Sequence, residues 1–505
     1  MINPLYDRLF RPHEGKTTPF LRFLDGTEMR YQDFLSLVSR LAHVLTEKGL
    51  VPGDRVAVQV HKSAQALALY GAAVKAGLVF LPLNTAYTAH EITYFIEDSG
   101  ARLLVCDSAD IKTYQSIFSD HDMEMLSLDA DGSGTLMDQV TLMDADFHPV
   151  PRDKEDLVAI LYTSGTTGRS KGAMLTQNNL LSNALSLAEA WRFSDQDVLL
   201  HALPIFHTHG LFVATNIVLA TSGSILFLPK FDLDAIMTLI PKATTMMGVP
   251  TFYTRMLEDQ RLTQEMTAHI RLFVSGSAPL LAESHRQFSA RTGHAILERY
   301  GMTETNMNTS NPYDGERRPG TVGFPLPGVE LKITDPEQGT MMPQGEVGQI
   351  ELRGPNVFKG YWQMPEKTAT ELRPDGFFIT GDLGRIDADG YLHIVGRNKD
   401  LIISGGYNIY PMEIELILDD QPGVLESAVL GVPHPDLGET VLGVIVAVPG
   451  QTPDLDHIAA TVASALARFK QPRKLILIDE LPRNTMGKVQ KNILRESYKD
   501  IFLND

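Results

Sequence analysis

Cysteine is nearly absent: Cys106 is the single one in 505 residues. That excludes an internal disulfide framework and any metal site built from several thiolates. Its setting, Leu103-Leu104-Val105-Cys106, suits a small buried thiol in a strand rather than a nucleophile. Positive charge is also short, with 44 Lys and Arg against 62 Asp and Glu, a formal net charge of −18. This balance argues against general nucleic-acid binding, and an anionic substrate must be met by local positive charge rather than by the overall field. Long apolar runs are missing too. The longest, near Ala66 to Leu83, is broken by Lys75 and Gly77 and closes at Pro82, short of a bilayer span. The start, Met-Ile-Asn-Pro-Leu-Tyr-Asp, lacks a basic segment followed by an apolar core, and Phe-Leu-Asn-Asp at the end is no sorting signal. The cytoplasm is therefore the expected location, with no membrane and no nucleic acid as partner.

What is present is an ordinary globular composition on a chain too long for one hydrophobic core, so several domains are expected. From Phe34 to Gly49 apolar residues recur at helical spacing, and after a Pro-Gly turn Arg55 to Val60 reads as a strand. Helical Ala64 to Gly77 then leads into the strand-like Val79 to Leu83, and this alternation continues as in a parallel sheet covered on both faces. Leu180, Ala184, Leu187, Ala188 and Trp191 mark one face of a helix beginning near Thr176. Leu272 to Ser275 runs into a helix near Ala282 to Thr292. After about residue 317, Gly and Pro become frequent and short strands predominate, suggesting a small β-rich subdomain. Past Asp400 a charged helix opened by Pro411, strands at Leu425 to Val432 and Val441 to Val448, and a helix at Leu455 to Phe469 read as a separate α+β domain.

The most informative stretch is Thr163-Ser164-Gly165-Thr166-Thr167-Gly168-Arg169-Ser170-Lys171-Gly172, directly after the apolar Leu157 to Leu161. Glycines let backbone N–H groups approach an oxyanion, hydroxyls add neutral donors, and Arg169 with Lys171 supplies positive charge. It is not a Walker A loop, because Gly172 follows the lysine where that pattern needs Ser or Thr.

Four further segments follow in order: Tyr-Gly-Met-Thr-Glu at 300–304, Thr-Gly-Asp at 380–382, Gly-Arg-Asn-Lys-Asp at 396–400 and Pro-Arg-Asn-Thr-Met-Gly-Lys at 482–488. Together with the loop they resemble the adenylate-forming superfamily of acyl-CoA synthetases, firefly luciferase and peptide-synthetase adenylation domains. The resemblance implies an α/β fold: a large N-terminal domain at 1–396 with stacked sheets and a β-rich subdomain at about 318–396, a hinge at 397–400, and a mobile C-terminal lid domain at 401–505. It implies ATP, Mg²⁺ and coenzyme A as cofactors and co-substrates, and the attack of a carboxylate on the α-phosphate of ATP.

In that reading residues 163–168 and Lys171 embrace the β- and γ-phosphates, Thr303 bonds the α-phosphate and Glu304 holds Mg²⁺. Ser277, Ala278, Pro279 and the run Glu298, Arg299, Tyr300, Gly301, Met302 line the nucleotide pocket, with Asp382 and Arg397 on the ribose. Lys399 is the hinge, and rotation there lets the small domain present two faces to one site. Lys488 bridges the attacking carboxylate and the α-phosphate; acetylation there would delete the charge. Ser404, Gly405, Gly406 and Tyr407 suit the pantetheine channel of coenzyme A.

For the acid, Arg255 in Val-Pro-Thr-Phe-Tyr-Thr-Arg and Arg299 before Tyr300 are candidates to pair with a second carboxylate, and the context resembles the malonate-activating branch of the superfamily. His207, Ser277 and Arg169 are then expected near phosphates or acid, and Thr208 with Met307 near the α-carbon, where methylmalonate is tolerated because one methyl is worth only about 1–3 kcal/mol. Arg286, on a helix with Glu283 nearby, reads as a surface ion pair. The competing readings are a ligase for another short acid and an adenylate-binding module without thioester activity; intact Lys488, Glu304 and Gly405-Gly406 speak against the second.

Overall fold

The computed structural model describes residues 2–163, 170–405, 407–484 and 487–502. The chain divides into two compact units, Met1–Glu330 with Leu352–Phe378, and Leu331–Glu351 with Ile379–Asp505. The β-rich stretch expected to end the N-terminal domain thus clusters in large part with the C-terminal residues. Packing accounts for the difference, since the strand Leu392–Arg397 lies against the helix Pro411–Asp419.

The first unit holds two sheets. One runs in the order Glu124–Ser127, Leu103–Cys106, Arg55–Gln59, Val79–Pro82, Leu157–Thr163, Lys171–Thr176, parallel except at the last pair. The other has a parallel centre of Leu297–Met302, Leu272–Ser275, Thr245–Gly248, Val198–His201, Ser224–Phe227 and Pro19–Arg22. Parallel strands covered on both faces read as short apolar runs, and these do. The helix Ala64–Ala76 is buried along its length apart from Gln65. Ser63 caps its start by accepting from the Ala66 N–H at 3.1 Å, and Gly77 at φ 72° closes it. Gly71 lets it approach the helix Tyr31–Glu47, since a Cβ there would sit 2.9 Å from Val38 Cγ2.

The second sheet changes direction at Val198–His201, whose following strand pairs on one side and the next strand on the other. A crevice outside the carboxyl ends of the strands is where such sheets bind ligands. At the opposite, amino ends, one carboxylate clamps three strands. Asp197 takes Arg271 at 2.7 and 2.8 Å, the Thr244 hydroxyl at 2.9 Å and the Ser194 N–H at 2.8 Å, and these residues precede or adjoin the strands starting at Val198, Thr245 and Leu272. The crevice end is left to be shaped by loops.

The second unit holds the antiparallel pair Phe378–Ile386 and Leu392–Arg397, and a five-stranded sheet in which Gly438–Ala447 lies between Val424–His434, Ile402–Ser404 and the parallel Lys474–Ile478. The helix expected to reach Phe469 ends at Ala465, and a 3₁₀ turn Arg468–Lys470 follows before Pro472, which cannot continue a helix. Among the described residues no helix is long and apolar enough to cross a membrane.

Replacing Asp197 by Ala leaves the Arg271 guanidinium and the Thr244 hydroxyl without their acceptor. We expect it to destabilise the first unit by at least about 2 kcal/mol. Both tryptophans, Trp191 and Trp362, lie in that unit, so urea unfolding followed by tryptophan fluorescence reads it; an unchanged midpoint would contradict the clamp.

Candidate active site

The strand Leu157–Thr163 carries the glycine-rich segment and the strand Lys171–Thr176 receives it; residues 164–169, Arg169 included, lie outside the described residues. Lys171 sits over the Tyr361 ring, 4.1 Å from its centroid, with its Nζ 3.4 Å from Glu371 Oε1. The Tyr361 hydroxyl lies 2.6 Å from Glu371 Oε2 and 3.0 Å from Glu304 Oε1. Burial and the two carboxylates push this phenol far up, so it stays a donor. Burial opposes ionisation of Glu371, yet Lys367, Tyr361 and Lys171 together hold it below its ordinary value. The result is a compact cluster in which Lys171 has Glu371 as its counter-charge and Glu304 accepts from the Tyr361 hydroxyl. Sequence reasoning missed Tyr361 and Glu371, which carry no motif signal; their place is set by the backbone bonds of Trp362 N–H to Gly172 O and Met174 N–H to Gly360 O.

Thr303 and Glu304 lie in the tight turn between the strands Leu297–Met302 and Asn306–Ser310. Gly301 is required there, because a Cβ would fall 2.0 Å from Asn306 O. Glu304 is buried, and its carbonyl accepts from the Phe358 N–H. Thr208 donates to Asn306 Oδ1 at 2.6 Å, which ties the start of the π-helix His209–Thr215 to this hairpin beside the buried Met307.

Arg299 is buried at 4% exposure, and among the described residues its Nε and Nη2 have no hydrogen-bond partner. Gly276 makes room for it: a Cβ there would sit 2.3 Å from Arg299 Cζ. Burial lowers its pKa to about 9, with Tyr253 as the opposing influence. His209, pushed well below its usual pKa by burial and then by Arg299 and His207, is neutral at physiological pH, and its Nδ1 lies 3.3 Å from the Ser277 hydroxyl. His207 Nδ1 accepts from the His209 N–H at 3.3 Å. Ser277, at φ 72°, is exposed with Ala278 and Pro279 at the end of the strand Leu272–Ser275, and the Tyr300 hydroxyl is directed toward Met302 Sδ.

The remaining sequence candidates are placed differently. Arg255 is exposed, its guanidinium 5.6 Å over the Phe231 ring. It lies two residues beyond Tyr253, whose buried ring is within electrostatic reach of Arg299, so helical periodicity turns Arg255 away from that enclosure. The Glu298 carboxylate is engaged within the protein, with His285 Nδ1 at 2.9 Å and the Gly320 N–H at 3.2 Å. Arg286 bonds Glu283 at the surface.

In the second unit Asp382 and Arg397 face each other across paired strands, with Arg397 Nε 2.5 Å from Asp382 Oδ1. Lys399 lies in the 3₁₀ turn Asn398–Asp400; burial lowers its pKa against the pull of Asp400, and Arg397, Arg495 and Lys488 add like charge. Lys488 is exposed, its N–H bonded to Asn484 Oδ1 at 3.0 Å; Thr485 and Met486 are not among the described residues. Ser404 is buried, Gly405 turns at φ 55°, and Tyr407 stacks on Phe469 at 4.6 Å, while Gly406 is not among the described residues.

An enclosed guanidinium with two idle donors destabilises the unliganded protein. Its folded pKa, about 9, lies well below the ordinary guanidinium value, so the folded state holds this proton less tightly than the unfolded chain. The penalty is full below about pH 9 and shrinks as pH rises further. Arg299→Met should therefore stabilise the unliganded protein at neutral pH by about 1–4 kcal/mol, with the gain falling above pH 9. Urea unfolding at several pH values checks this; a destabilised variant would show that the charge is compensated.

Known proteins give this geometry a family. The sequence description of the AMP-binding enzymes matches residues 12–362, and that of the AMP-binding enzyme C-terminal domain matches 413–488. ATP-bound MatB from Rhodopseudomonas palustris superposes with a TM-score of 0.96 at 56% identity, over 99% of this chain and 100% of that one. The malonate–CoA ligase of Arabidopsis thaliana is 35% identical, over 90% of this chain and 79% of that protein. A feruloyl-CoA synthase from an Amycolatopsis species is 34% identical over 94% of both. The chain belongs to the family of AMP-binding enzymes, in its large N-terminal and smaller C-terminal parts alike.

Proposed function

We propose that this protein joins malonate, and methylmalonate less well, to coenzyme A through a malonyl-adenylate, releasing AMP and pyrophosphate. The observation that carries the dicarboxylate is the enclosed Arg299. Relatives near 34% identity act on acids as different as malonate and ferulate by name, so family membership alone leaves the acid open. A buried guanidinium lacking partners at Nε and Nη2 selects for a second carboxylate, which can take both donors in a planar fork. A monocarboxylate would leave that charge unpaired, a difference of roughly 10⁴ in specificity.

Both reactants are anionic, so the first half-reaction requires charge neutralisation and in-line positioning. Among the described residues Lys171 is the cation nearest in sequence to the glycine-rich segment, and phosphate oxygens would replace Glu371 as its counter-group. Glu304 suits a hard divalent cation that keeps waters and shares the nucleotide phosphates. Among the described residues there is no cluster of three His, Cys, Asp or Glu that would form an all-protein cage, and Mg²⁺ does not need one. Such an ion supplies charge compensation at the phosphates. Thr303 offers its hydroxyl to the α-phosphate, neutral His209 orients Ser277 without adding charge, and Asp382 with Arg397 would take the ribose hydroxyls. Lys488 would meet the negative charge that gathers between carboxylate and α-phosphate. Ser404, Gly405, Gly406 and Tyr407 would then line the path of pantetheine.

Pyrophosphate release with acetate, propionate, malonate, methylmalonate and succinate, followed by thioester detection, tests the substrate. Malonate should lead, methylmalonate should follow within roughly 200-fold, and acetate should fall far behind. A preference for acetate would overturn the assignment. For the lysine, Lys488→Ala should abolish adenylation while largely sparing thioester formation from supplied acyl-adenylate, and equal loss of both half-reactions would remove Lys488 from that role.

A further inference from the structure

We infer that His201, held in one tautomer by the buried Lys62, is a positioning residue that sets residues 207–210, where the π-helix His209–Thr215 begins, at the acid and phosphate site. Neither side chain belongs to a recognised motif. Lys62 stands between the strand Arg55–Gln59 of one sheet and the helix Ala64–Ala76, and His201 ends the strand Val198–His201 of the other, at its change of direction. Lys62 Nζ donates to His201 Nδ1 and to His201 O, each at 2.9 Å, and lies 4.5 Å from the Phe227 ring centroid. His201 Nε2 lies 2.8 Å from Gly210 O.

A carbonyl can only accept, so His201 Nε2 carries the hydrogen and Nδ1 is the bare nitrogen that receives Lys62. This fixes the tautomer without appeal to titration. Burial pushes Lys62 and His201 well below their ordinary values, which keeps a second proton off the pair. Gly210 is held from other sides as well. Thr215 donates to the same carbonyl at 3.0 Å, and a Cβ on Gly210 would fall 2.0 Å from Pro204 O. The Gly210 and Leu211 N–H groups close back on His207 O at 3.1 and 3.0 Å. The clamped segment presents His207, Thr208 on Asn306, and His209 on Ser277. A buried lysine whose nitrogen is spent on an imidazole, rather than on a carboxylate, is costly for stability alone, and its output is the fixed direction of one backbone carbonyl.

The inference rests on the proposed reading of the site, and its test uses whichever acid the wild type turns over best, so that a wrong acid and a wrong positioning role give different results. His201→Gln keeps a donor near the Nε2 position, whereas His201→Asn keeps a partner for Lys62 and loses the donor to Gly210. Misplacement of reacting groups by about 1 Å costs on the order of 10² in rate. His201→Asn should thus lower kcat for pyrophosphate release by about that factor with KM for coenzyme A unchanged, and His201→Gln should recover most of it. Equal activity of the two, at wild-type urea midpoints, would overturn the role. Independently of any variant, ¹⁵N NMR of the histidine rings should show His201 as the Nε2–H tautomer without titrating from about pH 6 to 8. An Nδ1–H tautomer, or a protonation step in that range, would equally overturn it.

Discussion

The site depends on one unfavourable placement, a guanidinium enclosed in protein whose Nε and Nη2 have no hydrogen-bond partner among the described residues. Arg299 owes its enclosure to Gly276, whose missing side chain is the space the guanidinium fills, and to the parallel strands that bring residues 276 and 299 side by side. Charge in such a position is tolerated only if something charged and opposite arrives. In the proposed function, that requirement is what would turn a carboxylate-activating scaffold into one that asks for a second carboxylate. It also explains why His209 and Tyr253, the polar rings around Arg299, are both held uncharged by burial, so that neither adds a competing charge at the pocket wall.

The phosphate side is built on the opposite principle. Lys171 and Glu304 are both engaged before any nucleotide is bound, through Glu371 and the shared Tyr361 hydroxyl. Exchange of one anionic partner for another costs little, whereas a bare lysine would not hold its direction. A preorganised cation near an exchangeable counter-group would suit the nucleotide phosphates of the proposed reaction. In the second unit Asp382 and Arg397 likewise hold each other across paired strands.

Much of this was legible in the chain, because the chemistry is local there. The hydroxyl- and glycine-rich run after an apolar strand reads as a phosphate-handling loop through residue type and order, whereas the Thr-Glu turn and Lys488 take their proposed roles from the family resemblance. The alternating strand and helix pattern likewise gave the elements of the first unit, with the helix from Thr176 capped where expected. What was not legible depends on contacts between distant segments. Arg299 could be named, but its isolation needs Gly276, 23 positions away, to lie against it. Arg255 looked equivalent in sequence, and the facing of its helix sets it apart on the exposed side. Glu298 could be named as well, but not its partner His285. Tyr361, Glu371, Lys62 and His201 have ordinary sequence surroundings, and only tertiary packing gives them partners. The helix end at Ala465 differs from the expected Phe469 for the same reason, and the contacts group much of the β-rich stretch with the C-terminal residues.

The central claim is that the distal carboxylate of the acid answers the enclosed guanidinium. A crystal structure of the protein with malonate and a non-hydrolysable ATP analogue tests it most directly. The account predicts one malonate carboxylate bidentate on Nε and Nη2 of Arg299, with the other directed to the α-phosphate. Malonate bound with its distal carboxylate on Arg255, and Arg299 still without a partner, would contradict it.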